Sequence, residues 1–176
     1  PDYETKTSYS ITATASDGTN LRNQVITINI LDISEAPTFT SASSFTVNEN
    51  QTSIGTLQAT DPQNDTLTYS ISGTDASSIS VNSSSGALAF NTAPDYETKT
   101  SYSITATASD GINTDSQDIS ISINDLNDNS PNITSSNSLS VEENTRNVGT
   151  IEATDADNDS ISFSISGTDA SDFNLV

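Results

Sequence analysis

The acidic side chains of this chain fall in small groups whose spacing suits the binding of a metal ion. Asp155, Asp157 and Asp159 alternate with single residues, and Asp125 and Asp128 lie close together in a second group. Each close pair of carboxylates costs about 1 kcal/mol even in water, so such groups need a cation. Only 4 Lys and Arg accompany 24 Asp and Glu. Oxygen ligands without His or Cys select a hard ion, and flexible sites with several carboxylates favour calcium over magnesium.

Acidic groups of this kind recur along the whole chain, outside the segments that alternate like strands. Their members are Asp2, Glu4, Asp17, Asp32, Glu35, Glu49, Asp61, Asp65, Asp95, Glu97, Asp110, Asp125, Asp128, Glu142, Glu143, Asp155, Asp157 and Asp159. Scattered charge is usually a solvated surface, and this is the alternative interpretation of the pattern. Clustering at the ends of predicted strands, renewed in each repeat of the chain, favours metal binding instead.

The composition excludes several classes of function. A net charge of −20 repels nucleic acid and anionic lipid, which both require Lys and Arg for neutralisation. The absence of His and Cys removes the usual Ser/His/Asp and thiol nucleophiles of enzymes. A pair of carboxylates is able to cleave a glycoside, but acids at repeating module ends suit joints better than an active site. We therefore predict that the chain is not an enzyme.

The segments between the acids alternate apolar and polar residues, which predicts β-strands with one buried and one wetted face. In one of them Tyr102, Ile104, Ala106 and Ala108 alternate with Ser and Thr. Several short strands of this kind, separated by Asn, Asp, Gly and Pro, predict an antiparallel β-sandwich. High acidity with few aromatic residues is also typical of disorder, but a disordered segment does not require strict alternation.

The chain contains internal repeats. The segment Pro1–Gly18 returns letter for letter at Pro94–Gly111, and Ser70–Ser77 returns at Ser164–Ser171. A fixed period of about 94 residues indicates tandem, stacked modules. We predict the C-terminal part of one repeat in residues 1–36, a complete repeat in residues 37–130, and the N-terminal part of a third in residues 131–176. In the third unit the alternation predicts strands at Leu139/Val141, Gly149/Ile151/Ala153, Ile161/Phe163/Ile165 and Phe173/Leu175.

Five short motifs resemble those of cadherin repeats. Residues 125–131 (DLNDNSP) resemble the DxNDNxP linker, and residues 48–50 and 142–144 resemble the xEN motif. Residues 94–97 (PDYE) resemble the DRE element with Tyr in place of Arg, and DxD and AxDxG have counterparts at 155–157 and 108–111. The resemblance implies an all-β chain of tandem seven-stranded Greek-key sandwiches, joined end to end with calcium at each junction. The Ser/Thr-rich composition and near-identical copies most resemble the cadherin-like repeats of bacterial surface adhesins.

The resemblance also implies which residues bind calcium. For the second junction, around residues 125–131, the implied ligands are Glu49, Asp95, Glu97, Asp125, Asn127, Asp128, Asn129, Asp155 and Asp157. For the first junction, around residues 30–37, they are Asp2, Glu4, Asp32, Ser34, Glu35, Asp61 and Asp110. The first linker is one residue shorter and lacks the Asn pair. It also has Gln63 where the second DxD acid belongs, with Asp65 as a candidate substitute. We therefore expect this junction to bind fewer calcium ions, or to bind them more weakly.

Together these features predict a calcium-rigidified spacer, a filament-like part of a secreted or cell-surface adhesin of bacterial origin. The expected partners are calcium, neighbouring repeats and, in homophilic adhesion, another surface protein. The alternative is a module that binds carbohydrate or another copy of itself. For a sugar site, Tyr3 and Tyr96 are the candidate exposed aromatic residues, although packing over their own turn is the simpler explanation. The incomplete outer units have two explanations, an excerpt from a longer filament or head-to-tail complementation that builds fibres.

Overall fold

A computed structural model describes residues 1–176 of the chain. The strands are β1 (Ser8–Ser16), β2 (Leu21–Asn29), β3 (Thr38–Phe39), β4 (Ser44–Asn48), β5 (Ser53–Thr56), β6 (Ala59–Thr60), β7 (Thr68–Ser72), β8 (Ile79–Val81), β9 (Ala87–Phe90), β10 (Ser101–Ser109), β11 (Thr114–Asn124), β12 (Asn132–Ile133) and β13 (Ala153–Thr154). Helical structure is confined to two 3-10 turns, Ala76–Ser78 and Ala170–Asp172. No helix is therefore long and apolar enough to span a membrane.

The middle unit is a sandwich of two β-sheets. One sheet has the order β4-β11-β10-β7 and the other β5-β9-β8, while β3 and β6 form a short separate pair. Neighbouring strands are antiparallel, except that β4 runs parallel to β11. The long-range pairing of β4 with β11 and of β7 with β10 is the kind of crossover found in Greek-key sandwiches. The predicted all-β sandwich is confirmed.

The core of the middle unit lies between these sheets, on the strand faces that the alternation predicts. On β10, Ile104, Ala106 and Ala108 are buried because each alternate residue points at the opposite sheet. The other buried apolar residues are Val47, Ile54, Leu57, Tyr69, Ile79, Leu88, Phe90, Ile119, Ile121 and Ile123. Burying one such aliphatic side chain contributes about 1.5–3 kcal/mol, so this cluster holds the two sheets together.

The hairpin β1–β2 pairs its strands in the same way as β10–β11, but no second sheet covers it. Ile11 faces Ile26 in the same register in which Ile104 faces Ile119. Ile11 is nevertheless 49% exposed, whereas Ile104 is 1% exposed. No second sheet lies over β1 and β2, so an identical strand sequence is buried in one unit and exposed in the other.

Most of the strands that the alternation predicts in residues 131–176 do not form. Only the short pair β12–β13 is present there, with Ile133 opposite Ala153. In the middle unit the corresponding strands pair with β9, β10 or β11, and residues 131–176 contain no counterpart of those three strands. A strand needs a neighbour for its backbone hydrogen bonds, so alternation alone is insufficient here.

Each end of the middle sandwich faces one linker. At one end the turn between β10 and β11 contacts the first linker, where the Asn113 side chain donates to the backbone carbonyl of Glu35 at 3.3 Å. At the other end Glu49, which follows β4, accepts the backbone N–H of Leu126 in the second linker at 2.8 Å. The sandwich therefore brings the acidic turns of adjacent units to the two junctions.

Candidate metal sites at the two junctions

Seven carboxylates converge at the second junction. They form three groups, and in each group one oxygen from every residue lies within 4.8 Å of the others. The groups are Glu49–Glu97–Asp125, Glu97–Asp128–Asp157 and Asp155–Asp157–Asp159. Because Glu97 and Asp157 each belong to two groups, the three groups form one continuous set of acids that joins the middle unit, the linker and the third unit.

Glu49 anchors this set from the middle unit. Its side chain is only 1% exposed, and its two oxygens accept the backbone N–H groups of Tyr96 and Leu126, both at 2.8 Å. Two N–H donors stabilise a buried carboxylate that has no basic partner. Through them Glu49 joins the PDYE turn to the start of the linker.

Asp157 anchors the set from the third unit. One of its oxygens accepts the backbone N–H groups of Asp128 at 3.1 Å and Asn129 at 2.9 Å. These bonds, together with a side-chain bond from Asn129 that is the largest contribution, lower the pKa of Asp157. The turn that presents Asp157 depends on Asn158, whose φ of 58° is left-handed, a conformation that Asn tolerates well.

The remaining acids of the second junction repel one another. Loss of hydration raises the pKa of Asp125, and the charges of Asp157 and Glu49 raise it further. Loss of hydration is also the main cause of the raised pKa of Glu97. The only ion pair in the structure joins Lys99 to Asp75, so no basic side chain neutralises these acids. Their negative charge is therefore uncompensated within the protein, which favours the binding of a cation.

We expect the Glu49→Gln substitution to lower the pKa of Asp125 in calcium-free solution, because one of the charges that raises it is removed. A raised folded-state pKa means that the folded junction binds a proton more readily than the unfolded chain does. Protonation of Asp125 therefore stabilises the folded junction. This stabilisation is complete at pH values below the pKa of Asp125 in the unfolded chain, and it is lost as the pH rises through its pKa in the folded chain. Carboxyl 13C NMR titration of Asp125 measures the shift.

The matched control is Glu143→Gln, since Glu143 is the xEN acid of the third unit and belongs to none of the three groups. It should leave the titration of Asp125 unchanged. If Glu49→Gln also leaves it unchanged, the electrostatic coupling across this junction is contradicted.

The other predicted residues of the second junction have different surroundings. Asp95 lies outside the three groups and accepts the Thr98 hydroxyl of its own turn at 2.9 Å. The side-chain amide of Asn127 donates to Asp159. Asn129 directs its amide nitrogen at Asp157 (2.8 Å) and Asp128 (2.9 Å), so its side chain acts as a donor in this arrangement.

Asp159 is the acid of the second junction that the predicted ligand set omits. Its alternation with Asp155 and Asp157 was a visible signal. Its backbone N–H also donates to Asp155 at 3.3 Å, which folds the three acids into one turn.

At the first junction, the turn between β10 and β11 holds the linker through Asn113. The side-chain nitrogen of Asn113 donates to the Ser34 hydroxyl at 2.9 Å, and Ser34 approaches Asp110 at 3.5 Å. The backbone N–H groups of Asn113 and Ile112 lower the pKa of Asp110. The sequence motif missed Asn113, although Asn20 follows Asp17 at the same spacing in the first copy.

The first junction does not gather its acids as closely as the second. No three of its carboxylates lie within 4.8 Å of one another. Asp2 accepts the Thr5 hydroxyl of its own turn at 2.7 Å, and Asp32 is exposed in the linker. Glu4 and Glu35 both accept hydrogen bonds from Gln63, at 3.0 and 3.2 Å. An amide therefore lies among the acids of this junction.

The oxygen atoms available as metal ligands at both junctions fit a hard cation. They are carboxylate, amide and hydroxyl oxygens, the ligands that calcium prefers. Asp61 adds a specific indication, because the residue is 8% exposed and its Oδ2 atom is buried without a hydrogen-bond partner. An unpaired buried carboxylate oxygen is costly, and a bound cation would compensate it.

Comparison with known proteins finds several relatives of this chain. Residues 43–124 match the Cadherin domain family. Cadherin-related family member 2 of Mus musculus is 43% identical over 75 residues, which are 43% of this chain and 6% of that protein. Protocadherin Fat 4 of Homo sapiens is 35% identical over 144 residues, covering 74% of this chain and 3% of that protein. The chain thus spans a small fraction of the curated relatives that it matches.

Solved cadherin structures share its fold. The structure of the protocadherin gammaB7 EC3-6 cis-dimer has a TM-score of 0.67 at 28% identity, covering 88% of this chain and 44% of that chain. Mouse cadherin-23 EC22-24 has a TM-score of 0.63 at 26% identity, covering 89% and 56%. The chain is therefore built from cadherin-like β-sandwich repeats.

Two expectations find no support in these comparisons. The relatives come from mouse, human and Drosophila melanogaster, so they give no support to the resemblance to bacterial adhesins or to a bacterial origin. They give no support to a carbohydrate partner either. The names of the relatives denote cadherins, protocadherins and a receptor rather than enzymes, which fits the expectation that the chain is not an enzyme.

Proposed function

We propose that this chain is a calcium-binding, extracellular repeat region of an adhesion protein and acts as a spacer that calcium makes rigid. The observation that carries the proposal is the meeting of Glu97, Asp128 and Asp157 within 4.8 Å. One acid comes from the middle unit, one from the linker and one from the third unit. A cation held by all three would connect parts of the chain that otherwise repel one another.

The chain's own residues explain why such a joint depends on a cation. Interfaces between domains of this size are small, so a short linker by itself permits motion. Hydrogen bonds from Asn129 and from the backbone of Leu126 already place the acids, and their mutual repulsion opposes closure of the junction. Calcium supplies the positive charge that reverses this repulsion when it is bound. A hundredfold excess of calcium over its Kd stabilises the ordered junction by about 2.7 kcal/mol.

The proposed ligands are those that the resemblance implies, with Asp159 added. At the second junction they are Glu49, Asp95, Glu97, Asp125, Asn127, Asp128, Asn129, Asp155, Asp157 and Asp159. At the first junction they are Asp2, Glu4, Asp32, Ser34, Glu35, Asp61 and Asp110. Extracellular modules bind calcium with Kd values on the order of 10⁻⁴ to 10⁻³ M, so the spacer would become rigid at extracellular calcium concentrations.

Neighbouring repeats are the proposed protein partners. The division at residues 36/37 and 130/131 is part of this proposal. The exposed apolar face of β1–β2, with Ile28 46% exposed, matches a covered face of the middle unit, because β1 is identical to β10 and Ile28 corresponds to Ile121. Such a face suits association with a second sheet from a neighbouring repeat, either along one array or head to tail between molecules.

We expect calcium removal to shorten the maximum dimension of the chain, because the junctions then bend freely. Small-angle X-ray scattering with calcium and with a chelator measures this change. In calorimetry, Asp128→Ala should weaken calcium binding, since the linker carboxylate is lost. The control Asp169→Ala, an acid outside both junctions, should bind calcium as the unmodified chain does. Equal dimensions with and without calcium would refute the rigid spacer.

A further inference from the structure

The two junctions differ at one central position. In the second junction Asp155, Asp157 and Asp159 form one of the groups of close carboxylates. The corresponding residues of the first junction are Asp61, Gln63 and Asp65. The outer acids are retained, and a neutral amide replaces the acid that belongs to two of the three groups.

The side-chain amide of Gln63 donates to two acids whose counterparts at the second junction would bind a cation together with Asp157. Its Nε2 atom donates to Glu4 at 3.0 Å, to Glu35 at 3.2 Å and to the carbonyl of Ile33 at 3.3 Å. Glu4 and Glu35 correspond to Glu97 and Asp128, which meet Asp157 at the second junction. An N–H donor therefore bridges the first unit and the linker where the second junction has a third carboxylate.

This junction retains part of a cation site. Asp61 Oδ1 accepts the backbone N–H groups of Gln63 at 2.9 Å and Asp65 at 3.1 Å, which leaves Oδ2 buried without a partner. A cation would still be able to bind this oxygen, but fewer charged ligands surround it than at the second junction. Ligand charge is one of the main determinants of calcium affinity.

We infer that Gln63 makes the first junction the weaker of two calcium-dependent joints, because its amide is an internal, metal-free bridge between Glu4 and Glu35. This inference rests on the proposed function. As calcium falls, the first junction releases its ions before the second. The array then bends first at residues 30–37 and stays straight at residues 125–131.

Calorimetric titration of the 176-residue chain with calcium tests the inference. The unmodified chain should show a tight and a weak class of sites. Gln63→Asp should tighten the weak class about tenfold, because it restores a carboxylate ligand. The reciprocal Asp157→Gln should weaken the tight class to a similar extent. Gln63→Ala is the matched control, since it removes the bridge without adding a ligand and should therefore tighten the weak class less than Gln63→Asp does.

Pairs of spin labels assign these classes to the junctions. The chain has no Cys, so introduced cysteines are the only labelled sites. Thr27→Cys with Ser70→Cys spans the first junction, and Ser120→Cys with Ser164→Cys is the equivalent pair across the second. During calcium withdrawal the distance distribution of the first pair should broaden at a higher calcium concentration than that of the second pair.

The outcomes separate this inference from the proposed function. If both pairs broaden together and Gln63→Asp and Asp157→Gln leave affinity unchanged while calcium still binds, the role of Gln63 is overturned and the calcium spacer stands. If the unmodified chain does not bind calcium, the proposed function fails and the inference fails with it. If Gln63→Asp does not fold, Asp157→Gln and the two label pairs still decide the result.

Discussion

Replacing Ile104 with Ala is expected to lower the free energy of unfolding of the middle unit by about 2–5 kcal/mol. Ile104 is 1% exposed on β10 and lies in the core between the two sheets. Truncation removes buried methyl groups and leaves a cavity that the strands are unable to close. Hydrogen exchange of the β11 backbone amides in the native state reports the loss, since these amides exchange through unfolding of the sandwich.

The chain provides a matched control for this prediction. Ile11 occupies the same position in the identical 18-residue segment, but 49% of it is exposed. Ile11→Ala should therefore change stability by roughly 0.5 kcal/mol or less, as exposed substitutions usually do. Equal losses at the two positions would show that β1–β2 is covered in solution, contrary to the described structure.

Glu49→Ala is expected to have the second large effect. The substitution leaves the partly buried N–H groups of Tyr96 and Leu126 without their acceptor, and each such group left unsatisfied costs up to about 1–3 kcal/mol. In saturating calcium it also removes a proposed ligand, so the second junction should bind calcium more weakly. Chemical denaturation and calorimetry of the same variant measure the two effects.

The control for Glu49→Ala is Glu143→Ala in the third unit. Glu143 holds the same place in its xEN motif but is exposed. We expect Glu143→Ala to leave stability and calcium affinity nearly unchanged. A Glu49→Ala variant with unchanged stability and unchanged calcium binding would refute both the structural and the metal-binding role of the buried carboxylate.

Much of the fold could be predicted because each β-strand has a local sequence pattern, the alternation of apolar and polar residues. The alternation around Ile104 and Ile121 places both residues in the core, where the structure has them. The resemblance of the motifs to those of cadherin repeats also implied that Glu49, Asp125 and Asp157 share one junction, and the structure brings all three there. In each case the information lies within a few residues, since strand period and turn chemistry are local properties.

Other properties depend on residues far away in the chain. The side-chain donors of Gln63 and Asn113 reach linker atoms that are 28–79 residues distant, and no local pattern specifies such a contact. Likewise, the alternating segments around Phe163 and Leu175 do not form strands because the strands that would pair with them are absent from residues 131–176. Backbone hydrogen bonds in a sheet require two partners.

The sequence by itself therefore determined the strand faces, the repeat and the acids available at each junction. Only the tertiary structure decided which copy of a repeated segment is buried and which acids meet. Ile11 and Ile104 make this division clear, because their neighbours in sequence are identical and their exposures are 49% and 1%. Periodicity shows which face of a strand is able to be buried, but burial itself requires a second sheet to cover that face.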